Sequence, residues 1–213
     1  MTYKSIDIDN WNRKHIFEFY KDYEQPFFNV TANIDVTNLY KYCKENNYSF
    51  FIYCLYISTK LANEINEFKI RLEDGKPVVY DRINSGSTVL KDDNTFFFVY
   101  LEFYDDFKEF HSKSLKQIEL MKQAEFTEGG KGDQGIIYHS TIPWISFTSV
   151  QHAEDSKKGR SVPKVVFGKY FYDGDKLLMP LSVEVHHALA DGYHVGQFYE
   201  KFQQEIDALK VYL

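Results

Sequence analysis

Two pairs of short apolar runs meet across tight Asp-Gly turns, and this limits the fold more than any other feature of the chain. Phe68 to Leu72 and Val78 to Tyr80 flank Glu73-Asp74-Gly75-Lys76, while Val165 to Tyr172 and Lys176 to Val185 flank Asp173-Gly174-Asp175. An Asp-Gly pair supplies the positive φ that a hairpin turn needs, so both pairs read as antiparallel strands. Helical patterns are interleaved with them. Asp9-Asn10 can cap a helix from about Trp11 to Tyr23, stopped by Pro26, and Asp35-Val-Thr opens another to about Glu45. Ser49 to Asn63 is apolar around most of its circumference, as a buried helix would be. Asp105 to Ala124 is amphipathic, and a last helix runs from about His194 to Leu209. Further strands are expected over Phe27 to Ile34, Thr88 to Leu90, Phe96 to Glu102 and Ile142 to Val150, with loops over Thr127 to Gln134 and Gln151 to Arg160. The expectation is an α/β chain with a mixed β-sheet packed with helices in two layers, not a doubly wound parallel sheet. No repeat or linker divides the 213 residues, which suit a single domain, 1–213.

A net charge of −6 argues against binding nucleic acid by phosphate neutralisation. Met1 to Trp11 lacks a basic stretch followed by an apolar run, and no apolar run reaches spanning length, so a cytoplasmic protein without membrane attachment is expected. Cys43 and Cys54 lie in apolar segments without metal-ligand spacing and read as core thiols. Aromatic residues make up 18% of the chain. They suit a core, a small-molecule pocket or a subunit interface equally well.

The densest chemistry lies in Val185-His186-His187-Ala188-Leu189-Ala190-Asp191-Gly192-Tyr193-His194. A strand runs into two histidines, a short apolar spacer, a turn and a helix, and such junctions hold polar groups on a rigid frame. A neutral imidazole can take a proton from a hydroxyl, and a carboxylate four residues on can organise the turn. The same residues also fit a core histidine and a turn aspartate. A metal site is not expected, because His186 and His187 point to opposite faces of an extended chain and no other ligand is suitably spaced.

His187-Ala-Leu-Ala-Asp191-Gly192 is an His-x-x-x-Asp-Gly motif, and its setting, Pro180-Leu-Ser-Val-Glu-Val-His-His-Ala-Leu-Ala-Asp-Gly-Tyr-His-Val-Gly, resembles the chloramphenicol acetyltransferase family nearly residue for residue. Gly168-Lys-Tyr-Phe-Tyr-Asp-Gly-Asp-Lys-Leu-Leu-Met-Pro, Pro143-Trp-Ile-Ser-Phe-Thr-Ser, Tyr104-Asp-Asp-Phe-Lys-Glu-Phe and Trp11-Asn-Arg-Lys-His-Ile-Phe-Glu-Phe-Tyr look like further family segments, in family order. The resemblance implies a CoA-dependent acyltransferase fold and an acetyl-CoA-dependent O-acetyltransferase acting on a hydroxyl of chloramphenicol or a related small molecule, with no metal. It implies that His187 is the general base, that Ser140 stabilises the tetrahedral oxyanion, and that Asp191 pairs with Arg13 in a two-pronged ion pair. Tyr170 and Trp144 match positions along the CoA channel, and Tyr20, Phe28 and Phe96 match the acceptor pocket. A homotrimer with sites at its subunit interfaces is also implied.

The chain departs from the family pattern in three places. Val166 stands where a Thr hydroxyl usually helps hold a water near the transition state. Pro26 replaces a Cys. Lys157-Lys-Gly-Arg-Ser-Val replaces an aromatic stretch before Pro163. These changes keep open a non-catalytic or differently specific CoA- or ligand-binding member of the same fold. A lipoamide-type acyltransferase core would need a lipoyl-bearing domain and a flexible linker, and neither is found in this sequence.

Overall fold

The spine of the molecule is an eleven-residue strand, β10 (Lys176–His186). Its alternate residues Leu177, Met179, Leu181, Val183 and Val185 are buried in the main core. The intervening Ser182, Glu184 and His186 are buried as well, so β10 is covered on both faces, as a central strand is. The computed structural model describes residues 2–122, 134–153 and 161–210 of the 213. Most of the glycine-rich loop expected over Thr127 to Gln134, and Lys157 to Arg160 of the altered stretch before Pro163, lie outside these residues.

On one side β10 pairs antiparallel with β2 (Phe27–Asp35), on the other with β8 (Lys164–Gly168). Beyond β8 come β7 (Ile136–Ile142) and β5 (Asn84–Leu90), both in parallel pairing, and then β6 (Phe96–Leu101), antiparallel at the edge. A short β9 (Phe171–Asp173) also pairs with β10. The sheet is therefore mixed, as expected. Helices α2 (Thr37–Asn46), α3 (Phe50–Glu64), α4 (Phe107–Lys122) and α5 (Gly192–Asp207) pack on one another and on the core-facing residues of the strands. The nearly all-round apolar α3 is the most deeply buried of them, and Ser49 Oγ caps it by accepting the Ile52 N–H. Asp35 accepts from both the amide and the hydroxyl of Thr37 at the start of α2.

A second, small sheet contains β1 (Tyr3–Ser5), β4 (Lys76–Tyr80) and β3 (Ile70–Glu73). The β3–β4 turn places Asp74 and Gly75 at φ 50° and 76°, the left-handed pair that an Asp-Gly hairpin turn provides. Arg71 of β3 is completely buried and donates to the carbonyls of Phe68, Ile70, Gln134 and Ile136. Burial pushes its guanidinium down to about 9. Cys43 and Cys54 are free core thiols, and burial raises Cys43 to about 12, so neither offers a thiolate.

Several boundaries differ from the expectations. The strand expected over Ile142 to Val150 lies instead at Ile136–Ile142, because Pro143 has no N–H to continue the ladder. The segment after it folds over the sheet face away from the helices, where Ser146 Oγ bonds the Lys169 carbonyl and Phe147 lies against Gly168. A Cβ on Gly168 would strike both Phe147 and Pro180. The first helix is only Lys14–Tyr20 (α1), and Asp9-Asn10 belong to a separate 3-10 turn capped by Asp7. The run Val165 to Tyr172 breaks into β8 and β9. Tyr3–Ser5 forms a strand that alternation over so few polar residues did not reveal.

Candidate active site

The strand β10 delivers the two histidines to its end with opposite fates. His186 turns away from the helices, packs edge-on against Phe27 at 5.2 Å and is 4% exposed. Burial, helped by the neighbouring His187, lowers it to about 4, so it is neutral and enclosed at working pH. His187 continues the ladder by donating its N–H to the Pro26 carbonyl at 2.8 Å. Its ring lies on Tyr20, with centroids 4.1 Å apart and planes within 9°, and touches Phe28 at 4.6 Å. Nδ1 of His187 is buried with no hydrogen-bond partner among the described residues. The ring as a whole is only half-buried, so its exposure falls on the other edge. Two aromatic faces, rather than a hydrogen bond, orient this imidazole.

The turn beneath it is tied at both ends. Leu189 and Ala190 donate their N–H groups to the His186 carbonyl at 2.9 and 3.0 Å. Ala188 and Leu189 are buried with Phe17 and Ile70 in a separate small core. Asp191 closes the turn and caps α5. Its Oδ2 takes one bond from Arg13 Nη1 at 2.6 Å, and its Oδ1 accepts the Tyr193 N–H at 3.1 Å. The expected two-pronged Arg13–Asp191 pair is thus a single contact, because the second carboxylate oxygen serves the helix N-terminus. Arg13 Nε and Nη2 are buried without partners among the described residues. Burial alone would raise the Asp191 carboxyl, but Arg13, His194 and the Tyr193 amide together hold it below its ordinary value.

Two further groups complete this cluster, and sequence reasoning assigned neither of them a role. His194 Nδ1 lies 3.1 Å from the Asp191 amide nitrogen and 3.0 Å from Oδ1, while Nε2 lies 3.4 Å from Glu67 Oε1. The signal for His194 was present: three residues after an N-cap Asp it occupies the capping-box position, where Glu or Gln is usual. Glu67 arrives from a distant 3-10 turn and carries no local signal.

The structure therefore gathers Arg13, Tyr20, Phe28, His187 and Asp191. It does not bring Ser140, Phe96, Trp144 or Tyr170 to them. Ser140 lies on β7 opposite Val166, which pairs in turn with Ser182 of β10. Two strand spacings across the sheet and four residues along it put Ser140 roughly 16 Å from His186, Cα to Cα. Phe96 is half exposed on the edge strand β6, and Trp144 is 64% exposed. Tyr170 packs against Tyr40 at 5.5 Å and Phe50 at 5.9 Å on the helix side. Val166 is 1% exposed, enclosed by the sheet and the segment laid over it. Near that segment a cavity of about 400 Å³ opens between Phe27, Asn29, Thr31, His152 and Glu184. Glu184 is paired there with Lys164 at 2.7 Å.

Residues 1–203 match the family model described as "CAT: Chloramphenicol acetyltransferase". The chain belongs to the chloramphenicol acetyltransferase family. A chloramphenicol acetyltransferase of Klebsiella sp is 33% identical over 208 residues, covering 96% of this chain and 94% of the relative. A solved chloramphenicol acetyltransferase structure superposes with a TM-score of 0.90 at 30% identity, covering 98% of this chain and all of that one. The catalytic core of a 2-oxoacid dehydrogenase multienzyme complex from Thermoplasma acidophilum gives a TM-score of 0.69 at 14% identity, with 93% of this chain and 96% of that one covered, a likeness of fold alone. Membership makes the chain an acyltransferase of the CoA-dependent fold. Among the described residues, no group of His, Cys, Asp or Glu could hold a metal ion, and no helix is long and apolar enough to cross a membrane.

Proposed function

We propose that this chain transfers an acetyl group from acetyl-CoA to a hydroxyl of a small acceptor, with chloramphenicol as the first acceptor to test and His187 as general base. One observation carries the reading: the His187 ring is oriented by Tyr20 and Phe28 above a turn pinned by Arg13–Asp191, with its unburied edge free. His187 takes the acceptor proton as the hydroxyl oxygen bonds the thioester carbonyl carbon. The resulting oxyanion accepts a hydrogen bond from Ser140. Collapse breaks the carbon–sulfur bond, and the proton returns from His187 to the departing thiolate. One oxyanion donor of this kind contributes about 3 kcal/mol to lowering the barrier.

The distance across the sheet from His187 to Ser140 supports a shared site, with Ser140 of one subunit facing His187 of the next in a closed homotrimer. Exposed Phe19, Tyr23, Trp144 and Tyr172 suit such contacts. Trp144 and Tyr170 are read as flanking the CoA channel, Phe96 as lining the acceptor side, and the protein as cytoplasmic. The test is release of CoA thiol from acetyl-CoA with chloramphenicol and a panel of small alcohols. Turnover that disappears in His187→Ala, with acetyl-CoA binding retained by calorimetry, is the expected result. Acetyl-CoA binding without turnover on any alcohol would instead mark a ligand-binding member of the fold.

A further inference from the structure

The imidazole of His194 stands between two carboxylates, Asp191 on one side and Glu67 on the other, with only 9% of its side chain exposed. Its Nε2 faces Glu67. Its Nδ1 faces both the amide and the carboxylate of Asp191. When the ring is neutral with the proton on Nε2, Nδ1 accepts the Asp191 N–H. When the ring is protonated, Nδ1 donates to Asp191 Oδ1. In either form the ring keeps a bond to Asp191 and points an N–H at Glu67, so the contact does not depend on the state of the ring. Glu67 is held below its ordinary value chiefly by its contact with His194. Glu67, His194, Asp191 and Arg13 form one chain of contacts that ends under the turn carrying His187.

Arg13 holds Asp191 by a single bond to Oδ2 and the Tyr193 N–H holds Oδ1, while His194 holds the Asp191 amide as well, at the turn's own backbone. A shift of the Asp191 backbone would move the turn, and hence the imidazole four residues earlier. We infer that His194, backed by Glu67, is a positioning residue for the candidate base: it fixes Asp191 and, through it, the placement of the His187 ring. This inference rests on His187 being the base.

The test compares His194→Leu, which fills the buried space without polar atoms, with His194→Gln, whose amide can accept the Asp191 N–H or donate to its carboxylate. His194→Leu is expected to lower kcat by roughly tenfold or more with the KM for acetyl-CoA little changed, since misplacement of a reacting group acts on the chemical step. His194→Gln should recover most of that loss. In an Asp191→Asn background His194→Leu should cost little more, because both act through one contact. Glu67→Leu leaves the turn's own bonds in place and should lower kcat by severalfold, so it decides the matter if His194→Leu does not fold. Wild-type kcat in both His194→Leu and Glu67→Leu, equal losses in the Leu and Gln variants, or fully multiplicative effects with Asp191→Asn would each overturn the proposal. Full activity of His187→Ala would overturn the base itself. An inactive His187→Ala beside fully active His194→Leu and Glu67→Leu variants would remove only the positioning role.

Discussion

The imidazole of His187 lies flat on the phenol ring of Tyr20, 4.1 Å between centroids and 9° between planes. Removing that ring frees the candidate base to turn while leaving its own nitrogens unchanged. Tyr20→Ala is expected to lower kcat by about tenfold, the scale of one aromatic contact, while Tyr20→Phe keeps the stack and most of the activity. Steady-state kinetics of the two variants separates stacking from any role of the hydroxyl.

Asp191→Asn removes the negative partner of a guanidinium that is 93% buried along its side chain (7% exposed). The cost is expected at about 1–3 kcal/mol, below that of a fully buried pair, because Asp191 is itself 27% exposed. Thermal melts should show the loss, and kcat should fall with it.

Acid should destabilise the fold through two buried histidines. His139 is sealed between Ser85 and Ser58, at 2.9 and 2.8 Å, and burial lowers it to about 3; His186 sits at about 4. Each has a folded value below its unfolded one, near 6.5. The unfolded chain therefore binds protons that the folded chain refuses as pH falls below 6.5, and stability declines towards pH 4. Melting temperature measured between pH 7 and 4 should fall steadily for wild type and less steeply for His139→Gln.

Val166→Thr restores a hydroxyl beside Ser140 on the sheet. The side chain is 1% exposed, so the change is expected to cost about 1 kcal/mol of stability unless the hydroxyl finds a partner. A rise in kcat with chloramphenicol despite that cost would show that the apolar side chain limits the chemical step. An unchanged kcat would show that this position does not hold a water near the reacting atoms.

Oligomeric state is testable by function as well as by size. Light scattering should report a trimer. Mixing His187→Ala chains with Ser140→Ala chains should restore turnover, because one kind of interface in a mixed ring pairs an intact His187 with an intact Ser140. A monomer that remains active, or no recovery despite proven mixing, would overturn the pairing of His187 with a neighbouring subunit's Ser140.

The turn that carries the candidate base was legible as a structural unit because its logic is local. An apolar alternating strand, two histidines, a small-residue spacer and an Asp N-cap lie in one continuous run, and the family resemblance attached Arg13 to it from afar. The hairpins were legible for the same reason: Asp74-Gly75 needs no tertiary partner to turn. Glu67 was not legible, since nothing near it marks a contact that forms only when α5 packs on the distant 3-10 turn. The misplaced strand shows the opposite weakness. Trp144 and Ile145 look like sheet residues, yet Pro143 ends the ladder and both side chains are largely exposed. The separation of Ser140 from His187 depends on strand order, which no local pattern encodes.

The coverage of β10 on both faces fixes how this protein fails when heated. The candidate base stands at the end of the central strand, with its amide still held by β2. Amides from Val183 to His187 should resist hydrogen exchange until the molecule opens as a whole, since central core strands open only globally. The turn that carries the candidate base is therefore expected to open with the fold as a whole rather than ahead of it.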